Sequence, residues 1–475
     1  MTYRCRSLTV ASSSIIVRAA SAVRATRSSV GIRLGRSIAA GLVGLAGVVS
    51  VSLTTAEVTA ASSRAPGQAA PVNPSSPENR ARLAALATEV EQQYVIGPKA
   101  AGELGFRIMW QARIPAGEGA QLEHLAISDD AMFAIDSTNS IARLRPSDGQ
   151  QIWRVAVANP VDIFRGVHWI ELPVTTGVGR SMTTAMEARV FISTDTECFV
   201  LSGDAGALLG RQIFRKLPTT PPLVAGRFLV YGTLGGQVVW HHYGIGEEWR
   251  ANSLSGTIRG NLTQSAGAIV ATSVRGDVMS LDAGTAGRRW ARTTFGGIVA
   301  SPAIGPNEVF VASTDQYLWA FDLRNGAMLW KYFTESPLTT PPFAFGDGVL
   351  QYVPTEGLVC LNARTDKIDG DVRWSSKDAV GIPIGVIGEQ IAMWDAQRHV
   401  LTLIDKNHGS IVSATILTKV DELQLVSEGP FAGDIVALSN DGRIVRLTPK
   451  NPRTPSGFDE MEAQPAGAPV ANSAP

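Results

Sequence analysis

Histidines are the residues of this chain whose type and spacing come closest to metal chemistry. His241 and His242 are adjacent at the end of an apolar run that has the length of a β-strand. Neighbouring strand residues point to opposite faces, so one metal ion does not readily reach both imidazoles. We interpret the pair as surface or packing histidines. His168, His399 and His408 are isolated, and no cluster of His, Cys and carboxylates has metal-ligand spacing.

Nucleophiles and phosphate-binding loops are equally scarce. The serines on apolar strands, such as Ser273 and Ser313, lack the strand–turn–helix context of a nucleophile elbow. The glycine-rich segment 232–236 joins two strands and opens no helix, so we interpret it as a hairpin turn and not as a phosphate loop. The sequence therefore predicts no catalytic, cofactor-binding or metal-binding residue.

A spacing of about forty residues organises most of the chain. Short apolar runs recur, and successive runs end 39 to 44 residues apart, except for one gap of 57. The runs end at Leu144, Leu201, Trp240, Leu281, Phe321, Leu361, Leu403 and Leu447. Fixed periods of this length, when they are made of short strands, are typical of propellers and solenoids.

One repeat, residues 296–333, shows the structural unit. Its apolar runs are separated by turn residues and indicate a four-stranded meander. The runs are Ile298–Ile304, Glu308–Ser313, Gln316–Asp322 and Met328–Phe333. They are apolar on both alternations, which is expected when both faces of a sheet are covered. Sheets that stack as propeller blades are covered in this way.

The two ends of the repeat region predict how a ring would close. The last third strand, Arg443–Leu447, has no fourth strand after it, whereas Phe106–Arg113 precedes the first repeat and contains the expected tryptophan, Trp110. Pairing of these two segments would close the ring and remove exposed sheet edges. We therefore predict an all-β fold, an eight-bladed β-propeller of four-stranded antiparallel blades over residues 106–448, preceded by one short helix.

Two details follow from an eight-bladed ring. Cys198 and Cys360 lie four repeats apart and would face each other across the ring, beyond the Cα separation of about 7 Å that a disulfide allows. We predict that both are buried thiols. The second repeat is the longest, and residues 157–187 are predicted to contain an insertion or an extended loop.

The segments outside the repeats differ in composition. Residues 1–60 hold seven Arg, one Glu and an apolar run before small residues, which is the pattern of a signal peptide. An uncleaved membrane anchor is the alternative. Residues 61–76 are predicted to be a linker, residues 77–97 an amphipathic helix packed on the main domain, and residues 449–475 a disordered tail. These predictions describe an exported protein of the periplasm or cell envelope.

Composition and charge exclude some function classes. The chain has 475 residues, of which 45% are apolar and 18% are charged, and its formal net charge is zero. After residue 60 it holds 35 basic and 41 acidic residues. A mildly acidic body of this kind gives no reason to expect a nucleic-acid partner.

A second pattern recurs after the third strands. Residues 320–330 read Ala-Phe-Asp-Leu-Arg-Asn-Gly-Ala-Met-Leu-Trp, and residues 280–290 are a near copy with the glycine shifted by one, to Gly287. The glycine allows a positive-φ turn, the tryptophan buries its ring against the next blade, and the aspartate bonds turn amides. The residues assigned to this structural motif are Trp110, Trp153, Trp249, Asp282, Gly287, Trp290, Asp322, Gly326, Trp330 and Trp374.

This motif resembles the tryptophan-docking pattern of the quinoprotein (PQQ-like) eight-bladed propellers, and the resemblance covers about residues 106–447. Two branches share that fold: PQQ-dependent alcohol and glucose dehydrogenases, and non-enzymatic scaffolds of the BamB type in outer-membrane protein assembly. The alcohol dehydrogenases typically have adjacent cysteines beside the cofactor, and their chemistry needs a calcium site. This chain has no adjacent cysteines and no matching ligand set. The resemblance therefore implies a BamB-like architecture without PQQ or calcium.

The leading hypothesis is a non-catalytic periplasmic or secreted propeller that acts as a protein-binding scaffold, with a role in cell-envelope or outer-membrane protein assembly. We expect a monomer that binds other envelope proteins through loops on one face or through residues 157–187. Two alternatives remain open. One is a quinoprotein-type oxidoreductase with a degenerate site, and the other is a surface sensor or polysaccharide-binding propeller.

Overall fold

The protein is known from a computed structural model, which describes residues 77–117, 119–128, 130–176, 183–427 and 429–450. Its strands form eight sheets, each of four antiparallel strands. The prediction of an eight-bladed propeller is therefore confirmed. Two α-helices of the described residues precede the first strand, α1 (Pro77–Gln93) and α2 (Pro98–Glu103).

Blades 1 to 7 each consist of four consecutive strands, and blade 8 completes the ring. Strand β1 (Phe106–Arg113) comes first in the chain. Blade 1 contains β2 (Leu122–Ile127), β3 (Met132–Asp136), β4 (Ser140–Leu144) and β5 (Gln151–Ala156), and blade 2 contains β6 (Phe164–Thr176), β7 (Thr183–Thr194), β8 (Glu197–Ser202) and β9 (Leu208–Ile213). Blade 3 contains β10 (Leu223–Ala225), β11 (Phe228–Gly232), β12 (Gln237–His242) and β13 (Glu247–Ser253), and blade 4 contains β14 (Thr263–Ser265), β15 (Ala268–Thr272), β16 (Asp277–Asp282) and β17 (Arg288–Thr293). Blade 5 contains β18 (Ala303–Ile304), β19 (Glu308–Ala312), β20 (Tyr317–Asp322) and β21 (Met328–Phe333), and blade 6 contains β22 (Phe343–Phe345), β23 (Gly348–Val353), β24 (Gly357–Asn362) and β25 (Val372–Ser376). Blade 7 contains β26 (Ile382–Ile387), β27 (Gln390–Asp395), β28 (Val400–Asp405) and β29 (Ile411–Ile416). Blade 8 contains β30 (Glu422–Leu425), β31 (Ile435–Leu438) and β32 (Arg443–Pro449) together with β1.

Strand β1 closes the ring. It pairs with β32 from Phe106 opposite Pro449 to Arg113 opposite Arg443, with one register shift between Ile108 and Trp110. Blade 8 therefore takes its fourth strand from the segment before blade 1. The closure leaves no blade of the ring without a neighbour, which is why the inner strands of every blade are covered on both faces.

The helical segment before the ring differs from the single helix expected over residues 77–97. Helix α1 ends at Gln93, and a second helix, α2, starts at Pro98. Gly97 has extended backbone angles, φ −72° and ψ 161°. The residue before a proline disfavours the helical region, whereas proline itself suits the first helical position. The Gly97–Pro98 step therefore ends one helix and starts the next.

The core consists of apolar layers between neighbouring blades. Second strands such as β11, β15 and β19 are buried at every position. Fourth strands such as β9 and β29 lie at the outer rim and are mostly exposed. Burial of apolar area contributes about 25 cal/mol per Å², so the covered inner strands supply most of the stabilisation.

The loops are divided between two faces by the antiparallel strand order. The turns between strands 1 and 2 and between strands 3 and 4 of each blade meet on one side, which we call the lower face. There the N–H of Leu323 donates to the carbonyl of Asn307 (2.8 Å). The turns between strands 2 and 3 and the blade-to-blade connections form the upper face, where Thr294 donates to Gly276 (2.9 Å).

Several predictions concern residues outside the described ranges. The signal peptide over 1–60, the linker over 61–76 and all but the first two residues of the tail over 449–475 lie there, and they remain predictions. Within the described part of the chain, no helix has the length and apolar character that crossing a membrane requires.

Candidate functional site

Five tryptophans of the fourth strands join each blade to the next. Each indole N–H donates to a backbone carbonyl that follows the third strand of the neighbouring blade, at 2.7 to 3.0 Å. The donor and acceptor pairs are Trp110–Pro146, Trp153–Gly203, Trp290–Leu323, Trp330–Ala363 and Trp374–Lys406. These tryptophans of the predicted motif thus lie at the interfaces between blades.

Positive-φ glycines lie against four of these five indoles, those of Trp110, Trp153, Trp290 and Trp374. Gly149, Gly206, Gly326 and Gly409 have positive φ angles in the turns that follow the third strands. A Cβ at Gly326 would lie 2.5 Å from the ring of Trp290, and one at Gly409 would lie 2.3 Å from Trp374. No side chain fits at that distance, so the turn requires glycine for its backbone angle and for the ring above it.

Blade 3 departs from the predicted motif, and Trp249 is not its docking tryptophan. Trp249 is 44% exposed and stacks on Phe228 of its own blade, with ring centroids 4.7 Å apart. The strand register places Arg250 where other blades have the docking residue, opposite Trp240. The indole comes from Trp240 on the third strand, whose N–H donates to Ala283 of blade 4 (3.0 Å).

The same exchange explains why the expected glycine at 287 does not adopt the positive-φ conformation. In the turn of blade 4, Ala286 has φ 55°, and Gly287 is not among the positive-φ residues. No fourth-strand indole from blade 3 occupies this turn, since Trp240 reaches Ala283 from the third strand. The methyl group of Ala286 is therefore accommodated in the apolar cluster that also contains Trp240.

Blade 2 uses an amide in place of an indole. Gly210 occupies the docking position, opposite Val200, and Gln212 donates its side-chain N–H to the carbonyl of Tyr243 (2.7 Å). The Gln212 Oε1 is 2.8 Å from His241 Nε2. Burial lowers the pKa of His241 to about 4, so the imidazole is neutral at ordinary pH. His241 is therefore a packing residue between blades 2 and 3.

The aspartates of the motif hold the turns. Asp282 Oδ1 accepts the N–H and the hydroxyl of Thr285, both at 2.9 Å, and Asp282 Oδ2 pairs with Arg289 at 2.8 Å. The Arg289 bond and the Thr285 bonds lower the pKa of Asp282 to about 2. Asp322 accepts the N–H of Arg324 at 2.9 Å. These carboxylates are engaged in the turns.

The seam between blades 7 and 8 has no docking tryptophan. Ser413 occupies that position in blade 7, and its hydroxyl has no hydrogen-bond partner within the described residues. Blade 8 has no turn between its third and fourth strands, because β32 and β1 are not consecutive in the chain. Val95, Ile96 and Leu104 fill the seam, packed with apolar residues of both blades. At this interface the segment before the ring therefore fills the space that an indole fills between other blades.

The other side chains that could take part in catalysis or metal binding are buried in the packing of the blades. Cys198 and Cys360 are free and buried in blades 2 and 6, and burial raises the pKa of each thiol to about 12. His168 is buried, and burial lowers its pKa to about 4. Over the described ranges, no three His, Cys, Asp or Glu side chains are grouped to hold a metal ion.

The longest element of the lower face is the hairpin of β6 and β7. The two strands remain paired for six positions beyond the blade, from Glu171 opposite Ala188 to Thr176 opposite Thr183. Strand β8 pairs with β7 only from Arg189 to Ser193. The hairpin therefore projects by about 20 Å at a rise of about 3.4 Å per residue. It accounts for the insertion that the sequence predicts in blade 2.

The outer edge of this hairpin presents unpaired backbone groups. The carbonyl of Ala188 accepts the N–H of Gly203 on the side of β8 (2.8 Å). Backbone direction alternates along a strand, so Met186 and Thr184 direct their N–H and C=O groups to the same side. Within the described residues no strand lies beside them. The inner edge has Pro173, which offers no N–H for pairing.

The fold and its repeat define the class: this chain is a propeller of PQQ-type repeats with BamB-like architecture. A family model described as outer membrane protein assembly factor BamB matches residues 222–332, which are blades 3 to 5. The outer membrane protein assembly factor BamB of Burkholderia pseudomallei (strain K96243) is 22% identical over 373 residues, covering 72% of this chain and 88% of the relative.

Solved structures show the same fold. The crystal structure of BamB from Moraxella catarrhalis matches with a TM-score of 0.53 at 19% identity, over 72% of this chain and 99% of that chain. The computationally designed Ika8 protein matches with a TM-score of 0.52 at 14% identity, with the same coverage. At these identities the likeness establishes the architecture, and a designed protein shares it.

Proposed function

We propose that this protein is a non-catalytic scaffold of the periplasm or cell envelope, and that it binds other proteins during outer-membrane protein assembly. The role in assembly is supported by the relatives, which are named for it. The ring itself is a rigid support, because indoles, one amide and the N-terminal segment join its blades. The partner-binding element is the projecting hairpin of β6 and β7.

The single observation that carries protein binding is the free edge of β7. An exposed strand edge is a template for pairing with another chain, and proteins usually block it with Lys, Pro or a bulge. Residues 184–187 contain no Lys, Pro or bulge, and their one charged residue, Glu187, pairs with Arg189 (3.6 Å). A partner that adds a strand there gains main-chain hydrogen bonds, which is the mode of β-strand addition. Pro173 blocks the other edge, so the partner strand binds on one side only.

Affinity purification from the cell envelope of the producing organism, with mass spectrometry, tests the proposal. The wild-type protein is compared with Met186→Pro and with Met186→Ala. Proline removes the outward N–H, whereas alanine keeps it and removes the same side chain. We expect the wild type and Met186→Ala to recover outer-membrane assembly proteins and Met186→Pro to lose them.

Two results would count against the scaffold. Consistent absence of assembly components from all three preparations would overturn the role in assembly. Saturable binding of added PQQ with Ca²⁺, coupled to reduction of an electron-acceptor dye, would overturn the non-catalytic proposal in favour of the oxidoreductase alternative.

A further inference from the structure

A row of aromatic side chains lies on the upper face at blade 5. Phe295, in the connection from blade 4, contacts Trp319 with ring centroids 5.9 Å apart. Trp319 contacts Tyr317 at 5.7 Å, and Tyr317 contacts Phe333 at 5.2 Å. Phe295 is 87% exposed and Phe333 is 49% exposed. Two large apolar side chains are therefore exposed to solvent at the two ends of the row.

The position of Phe295 does not require an aromatic side chain for folding. The N–H of Phe295 donates to the carboxylate of Asp315 in blade 5 (3.0 Å). In the preceding connection the equivalent residue is Ser255, whose N–H and hydroxyl both donate to Asp277 of blade 4, the N–H at 2.7 Å. The backbone contact holds the connection in both cases, and serine suffices in one of them. The exposed ring of Phe295 is thus free to serve another purpose.

The rest of the row is also specific to blade 5. The turn contacts of Ser273 with Asp277 and of Ser313 with Tyr317 set the correspondence between blades 4 and 5. Blade 4 has Asp277, Met279 and Thr293 where blade 5 has Tyr317, Trp319 and Phe333, as the strand registers show. A fold with the same geometry is built without aromatic residues at these positions. Contiguous exposed apolar patches, unlike single scattered apolar residues, mark interaction sites.

The chemistry of the row favours a protein over a glycan. Sugars stack on open aromatic faces, but Trp319 is only 6% exposed, and Lys331 Nζ covers Tyr317 and Trp319 at 4.4 and 5.4 Å from the ring centroids. The carboxylate of Asp315 already accepts the indole N–H of Trp319. The exposed parts of the row are the ring of Phe295, the ring of Phe333 beside Tyr317, and the Lys331 side chain over Tyr317 and Trp319.

The charge of Lys331 requires that the partner carry an opposite charge at the site. Its Nζ has no carboxylate within ion-pair distance in the described part of the chain. A partner that covers the two phenylalanines would place a carboxylate near this cation, because an uncompensated charge at a covered surface is unfavourable. Aromatic anchors of this kind supply most of the binding energy at protein interfaces.

We propose that Phe295, Phe333 and Lys331 form a second docking site, for a partner protein that presents an apolar pocket bordered by a carboxylate. This inference rests on the proposed scaffold function and adds to it, since the site lies on the opposite face from the β7 edge. A propeller with one site on each face holds two partners at a distance set by the thickness of the ring.

Photo-crosslinking in the cell envelope tests the site. The photoreactive residue p-benzoylphenylalanine is placed at position 295, at position 186 on the hairpin and, as a control, at the exposed Ile416 on the rim of blade 7. We expect specific protein crosslinks at 295 and 186, to different partners, and none at 416. Crosslinks at 186 without any at 295 would overturn the second site alone. Their absence at both positions would overturn the scaffold proposal as well.

Affinity measurements with the purified crosslinked partner then test the chemistry. Phe295→Ser and Phe333→Thr introduce the residues of the neighbouring repeats, so the fold is retained. We expect binding to weaken about thirtyfold for Phe295→Ser, the effect of losing an aromatic hot spot, and to stay within about twofold for Ile416→Thr. Lys331→Met should weaken binding and reduce its salt dependence.

Three results would overturn the second site. One is unchanged affinity of Phe295→Ser and Phe333→Thr. Another is saturable binding of cell-wall glycan fragments that Phe295→Ser abolishes, which would make the row a sugar site. The third is a concentration-dependent dimer in sedimentation velocity that Phe295→Ser dissociates, which would make the occupant a second copy of this chain.

Discussion

Trp110 and Arg446 lie opposite each other across the pairing of β1 with β32, and both donate to the backbone carbonyl of Pro146 in blade 1. The indole reaches it at 3.0 Å and the guanidinium at 2.6 Å. Arg446 also forms a buried ion pair with Asp434 and covers the ring of Phe431. One carbonyl of blade 1 is therefore held from both strands that close the ring.

Removal of the indole N–H at this junction should cost little, and removal of the ring should cost much. We expect Trp110→Phe to lower the free energy of unfolding by about 1 kcal/mol, because one hydrogen bond is lost. Trp110→Ala should lower it by about 3–5 kcal/mol, because a buried aromatic ring is lost. Urea unfolding followed by fluorescence and circular dichroism measures both. Equal losses for the two variants would show that the ring does not pack as described.

Arg446→Met should destabilise the ring more strongly than loss of a surface ion pair. Asp434 would remain buried without its partner, and removal of one partner of a buried pair costs about 3–5 kcal/mol. The double variant Arg446→Met with Asp434→Leu should recover much of this loss, since no charge is left unpaired. Urea midpoints of the two single variants and the double variant test this, and a double variant that is less stable than both would contradict it.

Trp240 and Trp249 offer a matched test of the register in blade 3. Trp240→Ala should cost about 3–5 kcal/mol, because a buried ring and its bond to Ala283 are lost. Trp249→Ala should cost about 1 kcal/mol or less, because it loses partly exposed contacts with Phe228 and the Arg250 guanidinium. Chemical denaturation of both variants measures the two losses in the free energy of unfolding. A larger loss for Trp249→Ala would place the docking indole on the fourth strand.

Gly326→Ala should disturb the interface between blades 4 and 5. The added Cβ would lie 2.5 Å from the ring of Trp290, in a residue with φ 68°. Gly226→Ala is the control, since it has φ 59° and no atom within 4 Å of the added Cβ. Both variants carry the backbone strain of about 1–2 kcal/mol, and only Gly326→Ala adds the clash. Thermal unfolding should therefore show a lower midpoint for Gly326→Ala, and equal midpoints would contradict the contact.

Asp282 makes the stability dependent on pH in the acid range. Its pKa is lowered from the ordinary 3.8 to about 2 by the bond to Arg289 and the bonds to Thr285. A lowered pKa in the folded state means that the carboxylate stabilises the fold above pH 4 and loses this contribution as pH falls toward 2. The difference in thermal midpoint between the wild type and Asp282→Asn should shrink over that range. A constant difference would show that the ion pair does not contribute.

The sequence was sufficient for the ring and for the strand that closes it, because a repeat of about forty residues and an orphan strand with Trp110 are both visible in the chain. The choice between Trp240 and Trp249 was not accessible from spacing alone. Trp249 lies one residue before the docking position of the fourth strand, which Arg250 occupies opposite Trp240. This difference of one residue is why the docking indole comes from the third strand. The alanine at 286, where blade 5 has Gly326, was the signal that no fourth-strand ring covers that turn.

The surfaces that we propose for binding were harder to predict. The spacing located an insertion within 157–187 but not its hairpin pairing, which decides that Met186 directs its backbone outward. The row at Phe295 depends on contacts between a connection and the next blade, and the sequence shows only separated aromatic residues. Which positions of blades 4 and 5 are equivalent depends on the strand registers, and these do not appear in the sequence.

The pairing of β1 with β32 also sets an order of events during synthesis. The link between Arg443 and the carbonyl of Gln93 spans 350 residues. A ribosome that adds about 5–20 residues per second emits the partner of β1 on the order of tens of seconds after β1 itself. During that interval β1 is an unpaired strand, and contacts of high sequence separation form slowly. The ring can therefore close only after blade 8 has been synthesised, although the strand that closes it is made first.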